Sequence, residues 1–286
     1  MNELRWGERT YVMGILNVTP DSFSGDGLAQ PDRDQAAIVA AAVEQARGFV
    51  DAGADLLDVG AESTRPASVY GEHPEIDAET ELSLAIPVVS ALAREFAGRA
   101  LVSIDTTKGS VAREALAVGA VMVNDVWAGR RDAGTVDAAA AAGAYLVLMH
   151  NRERAEYPEG LFEQIVAWLG AAVDDAVNAG VSRDRLLVDP GIGFGKSPAQ
   201  SIEVLHRLAD LKAALGGLPM LVGTSRKRFI GELLGGALPN DRVEGTAATV
   251  ALAIAAGADV VRVHDVPAIM KTVRITDAIV RATIDR

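Results

Sequence analysis

Cysteine is absent from the 286 residues, which excludes a disulfide framework, a thiolate metal site and a cysteine nucleophile. Aromatic residues are scarce, at 5%. A core built from the 49% of hydrophobic residues therefore rests mainly on alanine, valine and leucine, a mix suited to buried parallel strands under alanine-rich helices. No uninterrupted apolar run reaches the roughly 18 residues that suggest a membrane span. Residues 1–11 carry no basic segment followed by a long apolar stretch, so no secretory signal is read there. Cations are the rarer charge, with 27 Lys and Arg against 39 Asp and Glu, a net charge of −12 and no membrane or nucleic-acid signature. Such an acidic chain argues against general nucleic-acid binding. It still admits an anionic small substrate where a few basic residues converge. The lack of cysteine is compatible with a cytoplasmic location, which is the expected one.

What the chain does have is a rhythm. Short apolar runs at 11–16, 55–59, 100–104, 121–124, 145–149, 186–188, 219–222 and 260–263 alternate with helical stretches at 35–52, 79–96, 109–118, 134–142, 162–178, 201–214, 245–256 and 266–284. Several helices end at a glycine, such as Gly53 or Gly143, able to take the left-handed conformation and turn the chain into the next strand. Repeated strand-then-helix units with short returns predict an α/β fold, a closed (β/α)8 TIM barrel of parallel strands, as one domain over residues 1–286. A doubly wound open sheet is the alternative.

In such a barrel the chemistry gathers at the C-terminal strand ends. There the sequence places Asn17, Glu62, Asp105, Asn124 with Asp125, Met149 with His150, the run from Asp189 to Lys196 (DPGIGFGK), Ser225-Arg226-Lys227, and Arg262 with His264. Every unit delivers polar groups to one rim. Some read equally as architecture. Asp105 is also placed to cap the helix beginning near Gly109, and Asn124-Asp125 to form a turn. Asp58, inside an apolar run, reads as a structural partner within the barrel. His150 reads as a structural strand-end residue, and Glu62 as a brace for its loop. Arg262 and His264 are two apart on a strand and project to the same side. A buried cation needs an anion, and a bound anionic ligand is one source. The carboxylates and the amide suit a planar heterocycle with amino and ring N–H donors, and the cations suit pyrophosphate. No serine has a clear His/Asp context, and no His/carboxylate cluster has zinc-like spacing.

Seven segments carry a resemblance: Met13 to Ser24 (MGILNVTPDSFS), Glu62 to Pro66 (ESTRP), Ser103 to Thr106 (SIDT), Val123 to Asp125 (VND), Asp189 to Phe194 (DPGIGF), Ser225 to Lys227 (SRK) and Arg262 to Asp265 (RVHD). Together, in this order and over essentially the whole chain, they resemble the motifs of the dihydropteroate synthases. The resemblance implies a transferase of folate biosynthesis, the target family of the sulfonamides. It joins 6-hydroxymethyl-7,8-dihydropterin pyrophosphate to p-aminobenzoate, and pyrophosphate leaves before the arylamine attacks. It implies pterin binding by Asp105, Asn124, Val126, Met149, Asp189, Phe194 and Lys227, and pyrophosphate binding by Asn17, Arg262 and His264, with magnesium at Asn17. It also implies a p-aminobenzoate site from Thr64, Arg65, Pro66, Ser225 and the loop of Asp21 to Ser24. Lys227, Asp105, Asp189, Arg262 and His264 are the implied catalytic residues. Arg226 would lie near the pterin or the pyrophosphate. A homodimer through the later helices is implied as well.

Departures lie in two loops. The family usually reads Ser-Asp-Gly-Gly where this chain has Ser24-Gly25-Asp26-Gly27, and Gly after Arg-Pro where it has Ala67-Ser68. The second loop, through Glu72-His73-Pro74, is several residues longer than usual. Both border the implied p-aminobenzoate site, so altered sulfonamide sensitivity is one expectation and a harmless surface insertion the other. Three rival readings are a methyltetrahydrofolate-carrying methyltransferase barrel, a pterin-binding paralogue without turnover, and an aldolase-like barrel with Lys227 as Schiff base.

Overall fold

The computed structural model describes residues 3–19, 27–29, 33–62 and 75–281. Its eight strands are β1 (Tyr11–Asn17), β2 (Leu56–Gly60), β3 (Leu101–Asp105), β4 (Met122–Asp125), β5 (Tyr145–Met149), β6 (Leu186–Asp189), β7 (Leu221–Val222) and β8 (Val260–Val263). Apolar on both faces, these segments stay buried only where helices cover one side and a filled interior the other. The helices are α1 (Gln35–Ala52), α2 (Ala78–Glu95), α3 (Gly109–Ala117), α4 (Gly134–Ala142), α5 (Leu161–Asn178), α6 (Pro198–His206), α7 (Leu208–Ala214), α8 (Arg228–Leu233), α9 (Val243–Ala255) and α10 (Val266–Val280).

The strands pair in parallel in the order β6-β5-β4-β3-β2-β1-β8-β7. Sequential order with β1 bonded to both β2 and β8 has no reversal point, which removes the doubly wound alternative. The remaining gap is spanned by a parallel bridge from Val188 to Met220, with Val188 N–H donating to Pro219 O at 2.9 Å. The fold is therefore the expected (β/α)8 barrel.

Strand alternation separates two cores. Val12, Leu16, Leu57, Val59, Val102 and Ile104 face outward, with their counterparts on the other strands, into the layer under the helices. Tyr11, Met13, Leu56, Leu101, Met122, Tyr145 and Val147 fill the barrel's lower half. Residues before β1 close that end: Trp6 and Leu4 pack onto the inner core. The Tyr145 and Tyr11 hydroxyls accept from Leu4 N–H (3.2 Å) and Arg5 N–H (2.7 Å). This plug satisfies buried phenols that apolar neighbours would leave unpaired, and it has no sequence signal that the strand pattern reveals.

The helix boundaries lie close to those expected, with local exceptions. The stretch 201–214 divides at Arg207 (φ −103°, ψ 18°) into α6 and α7. The first piece starts early because Ser197 and Gln200 form a reciprocal capping box with Pro198 in the first turn. Strand β7 is shorter than expected, and the short α8 was not expected. The last helix ends at Val280, and the end of the stretch expected there lies outside the described residues. Gly53, at φ 113°, turns α1 toward β2 by donating to Phe49 and Val50 carbonyls, as the sequence suggested. No described helix is long and apolar enough to cross a membrane.

Candidate active site

Toward the C-terminal mouth the inward positions change from apolar to polar. Strand register sets Asp105 beside Asn124, Gly60 beside both Asn17 and Asp105, and Met149 beside Asp189. Arg262, from β8, reaches across the barrel. Its Nε donates to Asp58 Oδ2 at 2.6 Å and its Nη2 to Asp105 Oδ2 at 2.7 Å. Asn124 Nδ2 donates to the same Asp58 oxygen at 2.9 Å. The barrel's own carboxylates thus supply the anions that Arg262 requires, in place of the bound anionic ligand that the sequence offered as one source. Asp58 is structural, as its position in the apolar run suggested. Buried Asp58 Oδ1, Asp105 Oδ1 and Ser103 Oγ make no hydrogen bond with the protein.

Two carboxylates share one guanidinium, so the cluster is one charge short of balance. Burial pushes the Asp105 carboxyl up to about 7, Arg262 opposes that shift and Asp58 adds to it. Burial also raises Asp189, against the pull of Lys227 and the Gly191 N–H. Burial disfavours the Arg262 charge, but Asp58 and Asp105 outweigh it and its pKa rises. The floor of the mouth is therefore an acidic, low-dielectric cavity in which an N–H-rich ligand finds ready acceptors.

The loop after β6 forms the next wall. Asp189 Oδ1 accepts Gly191 N–H at 2.7 Å. Gly191 has φ +66°, and a Cβ there would lie 1.9 Å from His150 O, so only glycine fits this turn. Lys227 donates to Ile192 O and lies 4.5 Å over the Phe194 ring. Beneath the loop Lys196, buried at 5% exposure, donates to Gly191 O (3.0 Å) and Phe194 O (3.1 Å) and meets His150 Nδ1 at 2.8 Å. The His150 imidazole is pushed down to about 2 by burial, then by Lys196 and Arg152. It stays neutral at physiological pH, the structural role expected of it. The sequence reading placed Lys196 at the end of the run after β6 without giving it a role; its one signal is its position directly after three alternating glycines.

The third wall comes from the turns after β7 and β8. Ser225 Oγ accepts His264 N–H at 3.1 Å and lies 3.0 Å from His264 Nδ1. Arg226 takes φ +59°, and its guanidinium binds Asp265 in a fork of 2.9 and 2.6 Å. Arg262 and His264 are partly exposed on either side of buried Val263, which puts both at the mouth. Asn17 ends β1, half-buried, on the same rim. Met149 and Val126 are buried close by in sequence to the rim.

Other residues resolve as architecture. The first N–H of α3 donates to Asp132 at 2.6 Å, so Asp105 is not its cap. Asp125 accepts from Trp127 N–H, Gly129 N–H and Thr135 Oγ1 and is a turn residue. Glu62 accepts Ile76 N–H at 3.1 Å and Lys108 Nζ at 2.7 Å, bracing its loop as expected, while Lys108 also binds buried Glu81 at 2.6 Å. Thr64, Arg65 and Pro66, the Asp21–Ser24 loop, Asp26 and the lengthened second loop lie outside the described residues. Among the described residues no cluster of three or more His, Cys, Asp or Glu is arranged to hold a metal.

Residues 13–264 match the family described as pterin binding enzyme. A dihydropteroate synthase of Clostridium beijerinckii is 42% identical over 281 residues, covering 98% of this chain and 97% of that protein. The crystal structure of the Clostridium difficile dihydropteroate synthase in the presence of pteroic acid is 43% identical, with a TM-score of 0.89 over 98% of this chain and 100% of the other. The Xanthomonas albilineans dihydropteroate synthase with 4-aminobenzoic acid is 40% identical, with a TM-score of 0.85 over 97% and 95% of the two chains. A polar barrel mouth of this composition, on a fold and sequence matched from end to end, means that the chain belongs to the pterin-binding enzyme family, among the dihydropteroate synthases.

Proposed function

We propose that this protein condenses 6-hydroxymethyl-7,8-dihydropterin pyrophosphate with p-aminobenzoate to 7,8-dihydropteroate and pyrophosphate, in folate biosynthesis. The observation that carries the reading is the acidic floor, where Asp105, Asn124 and Asp189 line one face of the mouth with Lys227 and Arg262 beside them. Buried carboxylate and amide acceptors match the amino and ring N–H donors of a pterin, and Lys227 matches a ring acceptor. Met149, Val126 and Phe194 supply the apolar walls. Asp105 and Asp189 favour the positive charge that develops on the pterin as pyrophosphate leaves. Arg262 and His264 hold the leaving group. The arylamine attacks the methylene carbon and sheds its proton late, so positioning and charge do most of the work. Ser225, with Thr64, Arg65 and Pro66, is assigned to p-aminobenzoate, in keeping with the relative solved with 4-aminobenzoic acid.

Magnesium is part of the proposal. Asn17 offers one hard oxygen ligand at the rim, which fits an ion that keeps its waters and takes substrate phosphate oxygens rather than a protein cage. When bound, it neutralises charge on the departing pyrophosphate. A homodimer fits the large apolar side chains exposed on the late helices, Leu252 of α9 and Ile275 and Ile279 of α10. A single domain working in the cytoplasm completes the reading.

Purified protein, given the pterin pyrophosphate and magnesium, is expected to release pyrophosphate and form dihydropteroate only when p-aminobenzoate is present. Lys227→Ala is expected to abolish both. Pterin binding without any product would favour the non-catalytic paralogue instead.

A further inference from the structure

We propose that Lys196 is a positioning residue for the pterin pocket: stapled beneath the loop after β6, it fixes the seat on which Lys227 rests. The inference depends on the synthase reading of the site.

The seat is built from backbone. Lys227 donates to Ile192 O, its ammonium lies over Phe194, and its stem passes Gly193, where a Cβ would come 2.9 Å from Lys227 Cδ. All three contacts belong to the run of residues 191–195. That run has few side chains to hold it and three glycines at positive φ, so it has many conformations to lose on folding. Lys196 supplies what the glycines cannot. Its Nζ ties the Gly191 and Phe194 carbonyls, the two ends of the turn, to each other and to His150 Nδ1 at the end of β5. His150 in turn is fully buried, packed edge-on against Trp168 at 5.1 Å. The same Gly191 carbonyl accepts Phe194 N–H at 3.0 Å, so the staple and the turn share an anchor. At 5% exposure Lys196 has no access to a substrate, and its action runs through Lys227 and Asp189.

A double-mutant cycle on the full-length protein separates positioning from bulk destabilisation. Binding of 6-hydroxymethyl-7,8-dihydropterin is measured by calorimetry for wild type, Lys196→Met, Lys227→Gln and the pair, well below each melting temperature. Lys196→Met is expected to weaken pterin binding about 10-fold, to raise KM for the pterin pyrophosphate in parallel, and to leave KM for p-aminobenzoate within about twofold. In the Lys227→Gln background it is expected to weaken binding by no more than about twofold. Lys196→Gln, which keeps two N–H donors for the carbonyls, is expected to recover much of the affinity, and Lys196→Ala takes the place of Lys196→Met in the cycle, with the same expected losses, if that variant does not fold. Losses that multiply in the pair, or equal losses for both substrates, would overturn the positioning role. Absence of turnover in the wild type would overturn the synthase reading instead, and the two failures are distinct.

Discussion

Asp105→Asn should make this protein more stable at neutral pH while weakening its site. In the folded state the Asp105 carboxyl is pushed from 3.8 to about 7, chiefly by burial and in spite of Arg262. A carboxyl with a raised folded pKa opposes folding once it ionises. The opposition is absent below the unfolded value, where both states are protonated, grows through the window from about 4 to about 7, and is complete above it. Each unit is worth about 1.4 kcal/mol, so between about pH 5 and about pH 8 the wild type gives up about 3 kcal/mol at this one group. Asparagine does not titrate, and it leaves Arg262 facing Asp58 alone, a balanced pair at 2.6 Å. Asp189 and Asp125, raised in both proteins by burial, cancel to first order. Denaturant or thermal melts of the two proteins at both pH values read the difference. The variant's advantage should grow by about 3 kcal/mol, or roughly 5–10 °C, from the lower pH to the higher. Pterin binding should meanwhile weaken about 10- to 100-fold, the worth of a hydrogen bond to a charged group. A stability gap that is flat with pH, or that widens in the wild type's favour on the alkaline side, refutes the electrostatic account of the floor.

Arg262→Met removes the cation between Asp58 and Asp105 and should cost about 3–5 kcal/mol at neutral pH; chemical denaturation should show the loss shrinking as acid protonates Asp105. Gly191→Ala places a methyl group 1.9 Å from His150 O at φ +66° and should lower the melting temperature and turnover together, whereas Gly143→Ala, at φ +61° with open space around it, should cost only the left-handed strain of about 1 kcal/mol and spare activity in the same assays. Chelation of magnesium should suppress pyrophosphate release while calorimetry with the pyrophosphate-free pterin shows unchanged affinity.

The sequence by itself narrowed the architecture to a parallel α/β fold, a closed barrel or a doubly wound sheet, and the tertiary structure decided for the barrel by bonding β1 to both β2 and β8. Eight short apolar runs broken by helix-length stretches admit few packings, because strands buried on both faces need helices outside and a filled interior. It also marked the rim, since a motif such as Asp189-Pro190-Gly191 or Arg262-Val263-His264 falls just where an apolar run ends, and strand period fixed that Arg262 and His264 project to the same side. What it left open were choices between partners. Asp105 had equal claims as a helix cap and as a site residue, and the tertiary structure decided by giving the cap to Asp132 and pairing Asp105 with Arg262, 157 residues away. Arg262 called for an anion without naming one, and the fold supplied Asp58 from β2 and Asp105 from β3. Lys196 was invisible as a staple because its acceptors are two backbone carbonyls and a distant histidine, groups every chain possesses. Local pattern is written in hydrophobic spacing and turn chemistry, which act over a few residues. Pairing of buried charges depends on which strands become neighbours, and only closure of the barrel sets that.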